Sequence, residues 1–318
     1  MATVLDHPAP SALGHLVDDY LTHCEARGLA PRTLSNNYGY ALREVFLPWC
    51  ASEHIDAVRD LDGRAVDRFT STLLRRERNG HVISKHTVHS YVRPVRQMLT
   101  WAAKEGEEVR AKPQLPMCPR PLRDVLTRQE IDQLEKAVDG ERDKLIIRIF
   151  GDCGLRLDEL TKLAPDDVHR TGRQAYLRVM GKWSRRRDVP LPPQTLRRLE
   201  RLIEARPLDR SADRIFLSQR RGKTGVYDPL TSSGVYQVVQ DAVVRARITK
   251  HVHPHLLRHS WMTEMLRAGM SPIQLSLIAG ASVQVIANHY THLTKNDAYD
   301  AMLRVLAGGR IDERAGGR

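Results

Sequence analysis

Ala175-Tyr-Leu-Arg-Val-Met180 and Asp188-Val-Pro-Leu191 alternate in polarity, and Gly181-Lys-Trp-Ser-Arg-Arg-Arg187 joins them. Period-two alternation marks a half-buried strand, and two such runs around a Gly-containing connector predict a hairpin, with Lys182 riding on it. On both sides the periodicity turns helical. The expected fold class is therefore mainly α with a small β-sheet.

Working back from the hairpin, a helix is expected from about 157 and an apolar one over 143–153, with Gly154 as its C-cap and Arg156 in the sharp junction between them. Thr127-Arg-Gln-Glu130 reads as a capping box, flanked by Leu126 and Ile131 as a hydrophobic staple, so a helix starts near 128. Before it, 111–123 carries four prolines and reads as an extended linker. Residues 1–110 form a separate helical domain in this reading. Leu34, Tyr38, Ala41, Leu42, Val45 and Trp49 line a helix over 33–49, and Val88, Val92, Val95, Leu99 and Ala102 line one over 84–103 that Pro94 can kink. Forward from the hairpin, the pattern is helical from 231, and the tail after 307 is rich in Gly and Arg. The second domain spans 124–318.

The 318 residues are enough for two cores. Fifty Lys and Arg against 38 Asp and Glu leave +12, with a pI near 9.8, which favours a polyanionic partner. Residues 1–110 balance 14 basic against 14 acidic side chains, so the excess lies beyond them. Within that balanced part, Arg75, Arg76, Arg78, Lys85, Arg93 and Arg96 gather with His81, His86 and His89 against only Glu77, a local basic face. The four cysteines form no CxxC pair, which fits a reducing cytoplasm, and no apolar run suggests a signal peptide or membrane span.

Arg156, in Gly154-Leu-Arg, and Arg258, in His255-Leu-Leu-Arg, stand at loop–helix junctions. Guanidinium offers a planar fork to phosphate oxygens, so the two could clamp one phosphate. A tyrosine follows in Ala287-Asn-His-Tyr290-Thr-His292. Cutting a phosphodiester without a metal needs donors on the non-bridging oxygens, an in-line nucleophile and an acid for the leaving oxygen. Each part has a plainer reading. Tyr290 shares a stripe with Val283, Ile286, Ala287 and Leu293, as a core tyrosine would; Arg156 and Glu159 suit a solvated helix start; Lys182 neighbours the charge run Arg185, Arg186 and Arg187. His251, His253, His255 and His259 invite a metal, but no acidic or thiol side chain completes the set and Arg258 would sit beside the cation. No metal and no cofactor is expected.

Gly154-Leu-Arg-Leu-Asp-Glu-Leu160, Lys182 on the hairpin, His255-Leu-Leu-Arg258-His259 and Tyr290-Thr-His292, in that order, resemble the tyrosine recombinase, or phage integrase, family. The resemblance implies a helical core-binding (SAM-like) DNA-binding domain over 11–105 and a catalytic domain over 124–306. It implies attack by Tyr290 to give a 3′-phosphotyrosyl link, charge stabilisation by Arg156 and Arg258, and protonation of the departing 5′ oxygen by Lys182. His255 would share the tyrosine proton, Glu159 would orient its neighbours, and His289 or His292 could support the site. It further implies double-stranded DNA as partner and a homotetramer on two DNA sites, with 297–307 docking into the neighbouring subunit. An accessory recombination protein, a role in a mobile element and work at the nucleoid would be in keeping. DNA-contacting candidates are Arg75, Arg76, Lys85, Arg93, Arg96, Arg185, Arg186 and Arg187. One departure stands out: the family usually carries His or Trp nine residues before the tyrosine, where this chain has Ala281. Tyrosine-type transposases, telomere resolvases and type IB topoisomerases share the chemistry, and a DNA-binding protein with a decayed site is the rival of another class.

Overall fold

The structure is a computed structural model that describes residues 12–110, 112–118, 124–181, 186–287, 299, 302 and 303. The chain divides into two compact units, Met1–Pro121 and Leu122–Arg318.

In the first unit, Ala12–Ala26, Gly63–Arg75 and Lys85–Lys104 are α-helices, and Pro31–Thr33, Leu34–Phe46 and Leu47–Ser52 follow one another as helical segments. The middle segment is wound as a π-helix, ending with the Leu47 N–H on the Leu42 carbonyl. The expected stripe over 84–103 is buried as a row, Val88, Val92, Val95, Leu99 and Ala102, and Pro94 is buried within the helix. Phe46 and Phe69 meet edge-on at 5.2 Å, joining two helices in the core.

A two-stranded hairpin, Glu77–Arg78 with His81–Val82, stands where only helix was expected. Its turn is Asn79-Gly80, both at positive φ, the pair that a two-residue hairpin loop favours. The proline-rich stretch is extended, with neither helix nor strand over 112–118, but it is packed rather than free. Pro113 is buried, Leu115 rests on the core of the first unit, and the Cys118 thiol donates to the Lys85 carbonyl at 3.4 Å.

The second unit begins with the capping box as expected: the Glu130 N–H donates to Thr127 Oγ1 at 3.2 Å and the Thr127 N–H to Glu130 Oε2 at 2.7 Å. Helices Arg128–Ala137, Glu141–Cys153 and Leu157–Lys162 lead into an antiparallel sheet of three strands, Val168–Thr171, Gln174–Met180 and Arg186–Pro190. The first of these strands and a second hairpin, Leu217–Arg221 with Tyr227–Pro229, were not expected from sequence. Helices Pro193–Glu204, Ser232–Ala246, Pro254–Arg267, Pro272–Ala279 and Val283–Ala287 complete the described part. Leu177 faces Val189 across the sheet, and both join the core around Phe150 and Phe216. No described helix is long and apolar enough to cross a membrane.

Candidate active site

Four helix ends meet in the second unit, and termini carry backbone groups with no intrahelical partner. Helix Glu141–Cys153 closes on Gly154, and helix Pro272–Ala279 closes on Gly280, both in the left-handed conformation that glycine adopts at no steric cost. Helices Leu157–Lys162 and Pro254–Arg267 begin there, the first from Arg156 and the second from His253, whose Nδ1 accepts the Leu256 N–H at 3.2 Å.

Arginines cap these ends. Arg258 is 4% exposed; its Nη1 donates to the Gly154 carbonyl and its Nη2 to the Ala279 carbonyl at 2.5 Å. Arg156 donates through Nη2 to the Gly280 carbonyl and through Nη1 to Glu159 Oε1 at 2.8 Å. Arg187 donates through Nε to the Ile278 carbonyl at 2.7 Å, and its Nη1 and Nη2 grip the two Glu159 oxygens at 2.7 and 2.8 Å. Three consecutive carbonyls at the negative end of one helix are thus each held by a different guanidinium.

Glu159 is the carboxylate at the centre. Burial alone would raise its pKa, but hydrogen bonds from Arg187, the Arg156 N–H at 2.7 Å and the Arg156 side chain overcome that and hold it at about 2. Because the folded value lies below the ordinary 4.5, the stabilisation is present above pH 4.5 and is lost as pH falls toward 2. It amounts to about 3 kcal/mol. Wild type should therefore exceed Glu159→Gln in stability by most at pH 7, with the gap closing between pH 4.5 and 2. Urea melts across that range would show an unchanged gap if the carboxylate were not engaged.

Arg258 is pulled the other way. Its burial, and then the charge of Arg156, bring its pKa down to about 10, with Glu159 giving only part of that back. Three guanidinium groups share one carboxylate, so the site is short of negative charge. Each guanidinium carries five N–H donors, and the bonds named for Arg156 and for Arg258 use two apiece. A phosphodiester would supply the missing charge and accept the remaining donors.

Several expectations meet different outcomes. Arg156 and Arg258 come together around Glu159, which is buried rather than on the solvated face that a plain helix start would give it, and His255 lies exposed at the start of the helix that carries Arg258. Arg187, expected on a DNA-facing charge run, is corrected: it points inward. It shares a strand face with buried Val189, two residues on, and opposes buried Val179, while Arg186 is exposed. Of the four histidines in the metal alternative, His253 is an N-cap, and among the described residues no three His, Cys, Asp or Glu side chains group as ligands. Ala281 packs against the small cluster of Trp261, Leu275 and Ile286. Lys182, Arg185, His289, Tyr290 and His292 lie outside the described residues.

In the first unit, Arg75, Arg76, Lys85, Arg93 and Arg96 are all exposed, and none forms an ion pair among the described residues, whereas nearby Arg43 and Arg68 do. Arg78 and His81, expected in the same basic stretch, are exposed on the unexpected hairpin.

Guanidinium groups set at helix ends around a single carboxylate make a site whose chemistry suits an anion such as a phosphodiester. The sequence pattern described as "Phage integrase family" matches residues 124–297. The tyrosine recombinase XerD of Corynebacterium glutamicum is 30% identical over 296 residues, covering 88% of this chain and 93% of its own. XerA of Thermococcus kodakarensis is 28% identical, covering 88% and 91%. Among solved structures, the Tn1549 transposon integrase in complex with circular intermediate DNA superposes with a TM-score of 0.71 at 18% identity, over 92% of this chain and 99% of that one. XerH recombinase bound to its palindromic difH substrate gives 0.69 at 20% identity, over 90% and 83%. The chain belongs to the phage integrase family of tyrosine recombinases; it is a site-specific recombinase that cleaves and rejoins DNA.

Proposed function

We propose that Arg156 and Arg258 hold the scissile phosphate and stabilise its charge in the transition state, that Tyr290 attacks it, and that Lys182 protonates the departing 5′ oxygen. His255 shares the tyrosine proton, and Glu159 orients the arginines. His289 and His292 stand close enough in sequence to Tyr290 to supply the donor that Ala281 lacks. The observation that carries this reading is the pair Arg156 and Arg258, converging at helix ends with donors in excess of the one carboxylate beside them. The phosphotyrosyl link conserves the bond energy of the broken phosphodiester, so rejoining needs no nucleotide cofactor.

The test is covalent trapping on nicked duplexes carrying the DNA that flanks the gene. A denaturation-resistant adduct should form, and its DNA-linked peptide should contain Tyr290. Salt-sensitive binding without any adduct would favour a decayed binding protein, and an adduct on another residue would remove Tyr290 from its role.

The first unit grips duplex DNA through Arg75, Arg76, Lys85, Arg93 and Arg96, with Arg185 and Arg186 adding contacts from the catalytic unit. The working form is a homotetramer on two DNA sites at the nucleoid, helped by an accessory recombination protein where the target demands one. Apolar side chains left in solvent support the assembly: Ile273 is 67% and Leu277 70% exposed, and Tyr299, Met302 and Leu303 are exposed as well. Deleting 297–318 should shift the protein on DNA from tetramer to monomer; an unchanged equilibrium in sedimentation would exclude that docking.

A further inference from the structure

Among the described residues of the cluster, Arg187 is the guanidinium whose three nitrogens all donate within the protein, to Glu159 and Ile278. Its Nη1 and Nη2 cover both Glu159 oxygens, its Nε holds the Ile278 carbonyl, and its stem lies against Gly280. A Cβ on Gly280 would come within 3.0 Å of Arg187 Cδ and Nε. Its side chain is 10% exposed, less than the 27% of Arg156. A phosphate would accept the donors that Arg156 and Arg258 do not spend on Glu159 and the helix-end carbonyls, whereas each nitrogen of Arg187 already donates to Glu159 or Ile278.

We propose that Arg187 is a positioning residue for DNA cleavage: it neutralises Glu159, so that Arg156 stays available to the phosphate, and it anchors the turn before Ala281 to strand Arg186–Pro190. The inference rests on the proposed roles of Arg156 and Arg258.

The physical argument is one of charge balance. Glu159 is buried and ionised, and a buried carboxylate takes whatever cation it can reach. With Arg187 in place, both of its oxygens are satisfied from the strand side, and Arg156 needs only one Nη on it. With Arg187 absent, the best remaining partner is Arg156, which would swing fully onto Glu159 and leave the phosphate. Displacement of a positioning group by about 1 Å can cost on the order of 10²-fold in rate.

The test compares Arg187→Met, Glu159→Gln and the double variant in single-turnover cleavage of a nicked duplex, with DNA affinity measured across salt concentrations. Arg187→Met should cleave about 10- to 100-fold more slowly, at unchanged affinity and unchanged salt slope. The double variant should lose less than the product of the two single losses, because removing the carboxylate removes the competitor for Arg156. It also leaves no buried carboxylate deprived of Arg187, so any stability that Arg187→Met loses through an uncompensated Glu159 should be regained, which thermal melts of the three variants check. Losses that simply multiply overturn the proposal in favour of a merely structural arginine. A salt slope reduced by about one overturns it in favour of direct phosphate contact. Failure of wild type itself to form the Tyr290 adduct would instead condemn the catalytic assignments.

Discussion

Arg258→Lys should cleave DNA about 10²- to 10³-fold more slowly than wild type, the usual cost of one lost transition-state donor. Binding to duplex DNA should change only a few-fold, because the DNA contacts proposed for Arg75, Arg76, Lys85, Arg93 and Arg96 do not involve Arg258. Arg258 spans two carbonyls, those of Gly154 and Ala279, and still has donors to offer a phosphate. An ammonium has three donors on a single point and cannot bridge both carbonyls and the phosphate together. Charge adds to the loss. Burial and Arg156 already pull Arg258 down to about 10, where it remains a cation at neutral pH. The same surroundings, acting on a lysine whose ordinary value is about 10.4, bring it toward the neutral form. Single-turnover adduct formation measures the effect, and a loss below tenfold would mean that the phosphate does not depend on this fork.

The elements that were legible from sequence are those with strong local signals. The capping box at Thr127 and Glu130, the stripe from Val88 to Ala102 and the Gly154 cap each depend on residues within a turn or two of one another. The small hairpin at Glu77–Val82 escaped because basic residues around it drew the reading toward a charged face. Its Asn79-Gly80 turn was nonetheless a readable signal. Strand Val168–Thr171 is only four residues long and pairs through a turn at Gly172, too short for alternation to stand out.

Arg187 is the more instructive case, because the information needed to place it was present. Leu191 and Val189 alternate inward along the strand, and period two then sends Arg187 inward and Arg186 outward. Composition marks Arg185, Arg186 and Arg187 as one charge run, but composition carries no direction, and the strand period does. What the sequence could not offer was the partner: Glu159 lies 28 positions away, and Ile278 lies 91 away. The carbonyl contacts of Arg156, Arg187 and Arg258 are likewise invisible in any local pattern, since they exist only where helix ends from distant segments meet.

Gly154→Ala should be the most damaging small substitution in the described part of the second unit. Gly154 sits at φ +56, and an alanine there costs on the order of 1 to 2 kcal/mol in backbone strain. The added methyl would also stand 2.0 Å from the Trp261 ring, a clash that a buried indole, 3% exposed, cannot escape by rotating into solvent. Overpacking of this kind typically costs 1 to 3 kcal/mol, so a total of about 4 kcal/mol is expected, lowering the melting temperature by roughly 10 °C in a unit of this size. Activity should fall further than stability predicts, because Trp261 shares the helix Pro254–Arg267 with Arg258, and Gly154 itself supplies a carbonyl to Arg258. Gly172→Ala is the matched control. It has a similar φ of +60 but nothing within 4 Å of the new methyl, so it pays the backbone cost alone and should lose about 1 kcal/mol with cleavage intact. Equal melting temperatures for the two variants would show that Trp261 yields without cost and that the glycine is required for its backbone angle only.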